Sequence, residues 1–136
     1  MYKYYLFIIK KEVYSAYYNN MDILFSTLRN LYYSSNNELS YGLSVYNQIC
    51  DIFNKNILKD YFKNKNSKYI KEIKNKFLIK DKNGEISLIN IRSSCLIIKT
   101  NSKLPVFLKI INYYNKYIFV CDFKNGRYFW LNDQYK

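Results

Sequence analysis

The run Tyr4–Ile9 (YYLFII) constrains the fold more than any other stretch of the chain. It consists of aromatic and aliphatic side chains bounded by Lys3 and Lys10. Successive side chains of a strand point to opposite faces, so a strand that is apolar at every position must be covered on both. Such a strand belongs in the middle of a sheet, with other elements packed on each side of it. A length of 136 residues and a hydrophobic content of 49% are enough for one domain with a buried core, and too apolar for a disordered chain.

The remaining pattern alternates short helices and strands. Lys11–Tyr18 has the period of a short helix, stopped by Asn19 and Asn20. Asp22 is placed to cap a second helix reaching Leu31, with Leu24, Leu28 and Leu31 on one stripe. Ser34 to Asn37 forms a loop. Glu38–Phe53 reads as a third helix carrying Leu43, Tyr46, Ile49 and Phe53 on one side, and a further short helix is expected around Ile57–Phe62. Lys68–Lys76 fits helix or strand. Phe77–Asp81 and Glu85–Arg92 form a hairpin about Lys82-Asn83-Gly84, and Tyr117–Phe123 and Arg127–Leu131 form another about Lys124-Asn125-Gly126. Cys95–Lys99 is a strand, and Ser102 can cap a helix running to about Tyr114 with Pro105 in its first turn. The expected fold class is α/β of the α+β kind. It is one domain over residues 1–136, a mixed, mostly antiparallel sheet of about five strands packed with helices.

Composition excludes much chemistry. The chain has no His, which removes Ser-His-Asp and Cys-His catalysis and His-ligated metals. No phosphate-binding glycine loop, metalloprotease helix or calcium loop is present. The ten acidic residues are dispersed rather than paired. Asp122, in an apolar strand, is placed to meet Arg127 across its hairpin. Cys50, Cys95 and Cys121 are odd in number and far apart, which suits reduced, buried thiols in a cytoplasmic protein. No apolar run is long enough to span a membrane, and the N-terminus lacks the features of a secretory signal. No enzyme activity, cofactor or metal is expected.

The formal charge of +12 suggests a nucleic-acid partner. Lys, Asn, Ile and Tyr supply 71 of the residues, however, while Arg occurs three times and Ala once. AT-rich coding produces that bias without selection for a polyanion, and nucleic-acid readers favour Arg. Lys55–Lys82 concentrates ten lysines against Asp60, Glu72 and Asp81, so a basic nucleic-acid-binding module using this stretch stands as the alternative function. The aromatics of Tyr117–Phe119 and Tyr128–Trp130 could serve as stacking platforms for bases, although strand aromatics more often fill a core.

The first helix carries two stripes, Val13 with Tyr17 and Tyr14 with Tyr18, each spaced by four. If one packs inward, the other presents apolar and aromatic surface, the composition of interaction sites.

The opening KYYLFIIKKE (Lys3–Glu12), Tyr17 and the closing CDFKNGRYFWLN (Cys121–Asn132) resemble the SirA family of sporulation inhibitors of replication. The resemblance covers nearly the whole chain, and the closing motif is its most specific part. It implies a non-enzymatic, cytoplasmic protein that binds the N-terminal domain (domain I) of the replication initiator DnaA. Binding would occlude a regulatory or assembly surface at the onset of sporulation. The implied state is a monomer forming a heterodimer with that domain, without membrane or direct nucleic-acid contact. The family's partner face maps onto Val13, Tyr17 and Gln48, with Tyr14 and Tyr18 of the same helix included in the partner-binding set. Val13 stands where the family has a larger aromatic, Asp51 where it has an aromatic, and Asp133 where Pro often follows the W-L-N.

Overall fold

The computed structural model describes residues 1–33, 39–64, 70–74 and 76–135. The doubly apolar run becomes the strand β1 (Tyr2–Ile9), followed by helices α1 (Lys11–Tyr17), α2 (Met21–Tyr32) and α3 (Leu39–Ile49). The two-residue strand β2 (Cys50–Asp51) leads to α4 (Lys55–Asn64) and then to β3 (Ile70–Ile73), β4 (Lys76–Lys80), β5 (Ile86–Ile91) and β6 (Leu96–Thr100). Helix α5 (Val106–Asn112), β7 (Ile118–Asp122), β8 (Arg127–Trp130) and α6 (Leu131–Gln134) complete the order.

The sheet runs β3-β4-β5-β6-β1-β7-β8, with β2 added to the end of β1. β1 therefore lies inside the sheet, antiparallel to β6 through Tyr5↔Ile97 and to β7 through Phe7↔Phe119. The described pairings are antiparallel, and the α+β class is as the pattern predicts. Among the described residues the strands number eight rather than about five. Six correspond to the strand segments of the pattern, and the other two are the short β2 and β3, with β3 in the stretch whose spacing fits either structure.

The two faces of β1 start two cores. Tyr4, Leu6 and Ile8 join Leu58 and Phe62 of α4, Phe107, Leu108 and Ile111 of α5, and Leu131 of α6. Tyr5, Phe7 and Ile9 join Leu24, Phe25 and Leu28 of α2, together with Phe119 and Trp130. The expected Leu24–Leu28–Leu31 stripe is thus the inward face of α2, with Leu31 partly buried at its end.

Local departures have tertiary causes. Asp22 does not cap α2; it lies inside the first turn, where its charge suits the helix dipole. Phe53 is not on the α3 stripe, because the helix stops at Ile49 so that Cys50 can pair with Ile9. Phe53 then passes to the core on the opposite face, held by its N–H donating to the Ser93 carbonyl at 2.7 Å. Helix α4 is capped by Asn54, whose Oδ1 accepts from the Ile57 N–H at 3.1 Å. Ser102 does not cap α5. That helix begins after Pro105, and its Val106 N–H donates to the Glu85 carboxylate at 3.2 Å. Gly84 and Gly126 turn the two predicted hairpins at φ +90° and +67°, a region that glycine enters without strain. The loop assigned to Ser34 to Asn37 lies outside the described residues.

Asp122 and Arg127 are cross-strand partners in the register, but the expected ion pair is replaced by other contacts. The buried carboxylate accepts from the Asn125 side chain at 2.8 Å and its backbone N–H at 3.2 Å. The Arg127 guanidinium lies 5.9 Å from the centre of the Tyr2 ring.

Leu6 is fully buried at the centre of the first core. Leu6→Ala should cost about 2–5 kcal/mol, measured as a lowered urea midpoint with an unchanged denaturant slope. Cys50, Cys95 and Cys121 are free and buried, and burial raises the pKa of each thiol. An unfolded thiol ionises near pH ~8.5, whereas the folded thiols keep their protons to higher pH. Their contribution to stability is therefore complete below that value and is lost as pH rises towards the folded pKa values. Unfolding free energy, measured under reducing conditions, should decline above pH ~9, and less steeply in Cys50→Ala, by up to ~1.4 kcal/mol per pH unit.

Candidate functional site

Seven residues are too few for a helix to hold itself together in water, so α1 depends on what it touches. Its entry is tied to α3 by the Lys10 N–H, which donates to the Ile49 carbonyl at 2.8 Å. Its Tyr14–Tyr18 stripe is fastened to the second hairpin. The Tyr14 ring meets Trp130 edge to face at 4.7 Å and Tyr117 at 4.9 Å, and Tyr18 stacks on Trp130 at 6.1 Å. The Trp130 indole Nε1–H donates to the Tyr18 carbonyl at 3.1 Å. The Tyr18 hydroxyl donates to the Asp133 carboxylate at 2.7 Å. Trp130 itself is buried, with Phe119 4.8 Å away.

Fixing one stripe sets the direction of the other. Val13 and Tyr17 turn to a groove of about 360 Å³ between the first three helices. Leu24, Ile23 and Thr27 of α2 contribute to it, and Gln48 and Ile49 of α3 complete it. None of these lining residues is charged. Tyr17 and Ile23 are 39% and 51% exposed at the rim, and Gln48 is exposed. The Thr27 hydroxyl donates to the Ile23 carbonyl at 2.9 Å, which turns the hydroxyl hydrogen back onto its own helix.

Of the five residues the sequence singles out, the structure brings Val13, Tyr17 and Gln48 into this groove. Tyr14 and Tyr18 lie on the other stripe and orient α1, packing on Trp130 of the hairpin, with the Tyr18 hydroxyl bonded to Asp133 of α6. Ile23 and Thr27 were not anticipated. Their spacing of four on the polar side of α2 was the available signal. In the sequence Trp130 belongs to the closing motif and to the strand aromatics; its place as the platform of α1 depends on strand pairing. Asp133, a departure from the family pattern, anchors Tyr18.

The other sequence candidates separate in space. The strand aromatics are not stacking platforms: Phe119 and Trp130 are buried, and Tyr128 stacks on Phe25 of α2 at 4.7 Å. The Lys55–Lys82 run does not form one surface. Lys55, Lys59 and Lys63 belong to α4, on the first-core side, where Lys63 and Glu72 lie 3.7 Å apart. Lys71, Lys76 and Lys80 alternate with buried or inward residues of β3 and β4 and point to the opposite face; Lys65 and Lys68 lie outside the described residues. Among the described residues, no group of three or more Cys, Asp or Glu could hold a metal ion, and no helix is long and apolar enough to cross a membrane.

The fold is an α+β antiparallel sheet with helices packed on it, and among the described residues an uncharged, aromatic-rimmed cleft lies between α1, α2 and α3. The family model for the sporulation inhibitor of replication protein SirA matches residues 2–134, nearly the whole chain, and the chain belongs to that family. The family is one of regulatory inhibitors rather than enzymes. No curated protein matches the chain.

Trp130→Phe removes the indole donor and part of the platform under α1. It should cost about 1–3 kcal/mol, and amide exchange in α1 should accelerate more than in β1.

Proposed function

We propose that the chain inhibits initiation by binding the N-terminal domain (domain I) of DnaA through the groove between α1, α2 and α3. The observation that carries this reading is the convergence of Val13, Tyr17 and Gln48. They come from two separate helices and line one uncharged cleft. Tyr17 offers a large, stiff ring at the rim, and such rings supply contact area at low entropic cost. Gln48 can donate and accept, which suits it to fix the register of a docked helix or loop. Val13 forms a smaller part of the wall. Tyr14 and Tyr18 support this face from behind through Trp130.

The mechanism is occlusion. A DnaA surface needed for self-assembly or for regulator binding is covered, so initiator bound at the origin cannot act productively as sporulation begins. The protein works in the cytoplasm as a monomer that pairs with one DnaA domain.

Tyr17→Ala should weaken binding to the isolated DnaA N-terminal domain by about 2 kcal/mol, roughly thirtyfold. Its thermal midpoint should stay near that of the wild type, since the ring is 39% exposed. Calorimetric titration beside a melting curve checks both. Failure of well-folded wild type to bind would overturn the partner. A large loss of stability in the variant would instead make Tyr17 a core residue and overturn the face.

A further inference from the structure

On the second face of the sheet the described helices cover β1, β7 and β8, and the buried core there reaches Ile97 of β6. Towards β3 it lies open, and the register shows what it carries. One row across the strands reads Lys71, Leu78, Leu88, Lys99, Lys3. The next reads Ile73, Lys76, Asn90, Ile97, Tyr5. Lys80 stands opposite Ile86 one row further on. Lys3, Lys76, Asn90, Arg92 and Lys99 line a shallow furrow of about 120 Å³ between the rows. All six cations are exposed.

The nearby carboxylates are directed elsewhere. Glu72 is beside Lys63 on the helix side. Glu85 accepts from Ser87 and from the start of α5. Asp81 accepts from the Asn83 and Glu85 amides of its own turn. These rows carry cations and no carboxylate, whereas the helix side carries both signs, as at Lys63 and Glu72. Among the described residues, the open half-sheet therefore presents cations without carboxylates over a largely aliphatic floor.

We propose that this face binds the phosphate backbone of duplex DNA without reading its sequence. At ~4.8 Å per strand, Lys71 and Lys3 stand roughly 19 Å apart. A duplex carries one phosphate charge per ~1.7 Å of axis, so that span meets several phosphates at once. Single-strand binders stack bases on exposed aromatics set among cations. Here the residues between the cations are Leu78, Leu88, Ile73 and Ile86, and Tyr5 is buried, which favours the duplex. The surface is separate from the groove, so one molecule can hold DNA while the groove is occupied.

The test is fluorescence anisotropy with a random-sequence duplex of about 20 base pairs at salt from about 50 to 200 mM, where ~5 neutralised phosphates give a log–log slope near −4 to −5. Lys71→Gln/Lys76→Gln/Lys99→Gln should flatten that slope by about 2.7 units and leave the melting temperature unchanged. A control with the same charge loss elsewhere, Lys55→Gln/Lys109→Gln/Lys124→Gln, should leave the slope within about one unit of wild type. Equal flattening in both variants would mean that net charge alone attracts the DNA and would overturn the site. So would absent binding at the lowest salt, tighter binding of the single strand, or preference for polyglutamate, the last marking the face as one for an acidic protein.

Discussion

Burial of β1 on both faces organises the molecule. A strand with apolar side chains at every inner position cannot lie at an edge or leave one side to water, because either arrangement would expose large aromatic and aliphatic area. The chain meets this requirement twice. Helices α4, α5 and α6 cover Tyr4, Leu6 and Ile8, and α2, with partial cover from α1 and α3, closes over Tyr5, Phe7 and Ile9. Flanking by β6 and β7 follows from the same need, since a buried strand must also satisfy its backbone donors and acceptors.

The groove is a consequence of that second layer. Helix α1 is short and contains no fully buried residue, so its orientation comes from Trp130. The indole both stacks with Tyr18 and donates to that residue's carbonyl. Trp130 is in turn set by its pairing with Phe119 in the β7–β8 hairpin. The closing motif and the first helix are distant in sequence but act as one unit. One aromatic stripe holds α1 to the sheet, and the other is thereby free to rim a cleft with α2 and α3.

Local signals carried far where the physics was local. The two glycine hairpins, the inward stripe of α2 and the buried thiols could be identified because turn geometry and side-chain period depend on neighbours a few residues away. The misassigned positions involve distant partners. Glu85 starts α5 in place of Ser102 because the turn leading into β5 brings a carboxylate to the Val106 N–H. Phe53 leaves the α3 stripe because Cys50 finds Ile9. The basic run is divided because a strand alternates faces and a helix lies on one side of a sheet. Ile23 and Thr27 line the groove as well, and their spacing of four on α2 does not by itself say that this pair meets α1.

The order of amino acids alone specifies the central strand, the α+β class, the lack of imidazole chemistry, and the family, whose model matches residues 2–134. These depend on composition, period and short motifs. Folding in three dimensions is what puts Val13, Tyr17 and Gln48 in one cleft with Tyr14 and Tyr18 behind it, and what collects six cations on the open half-sheet. Both outcomes require residues from separate elements to be placed within a few ångströms of each other. That placement is fixed by strand register and by the packing of Trp130, which act between distant parts of the chain.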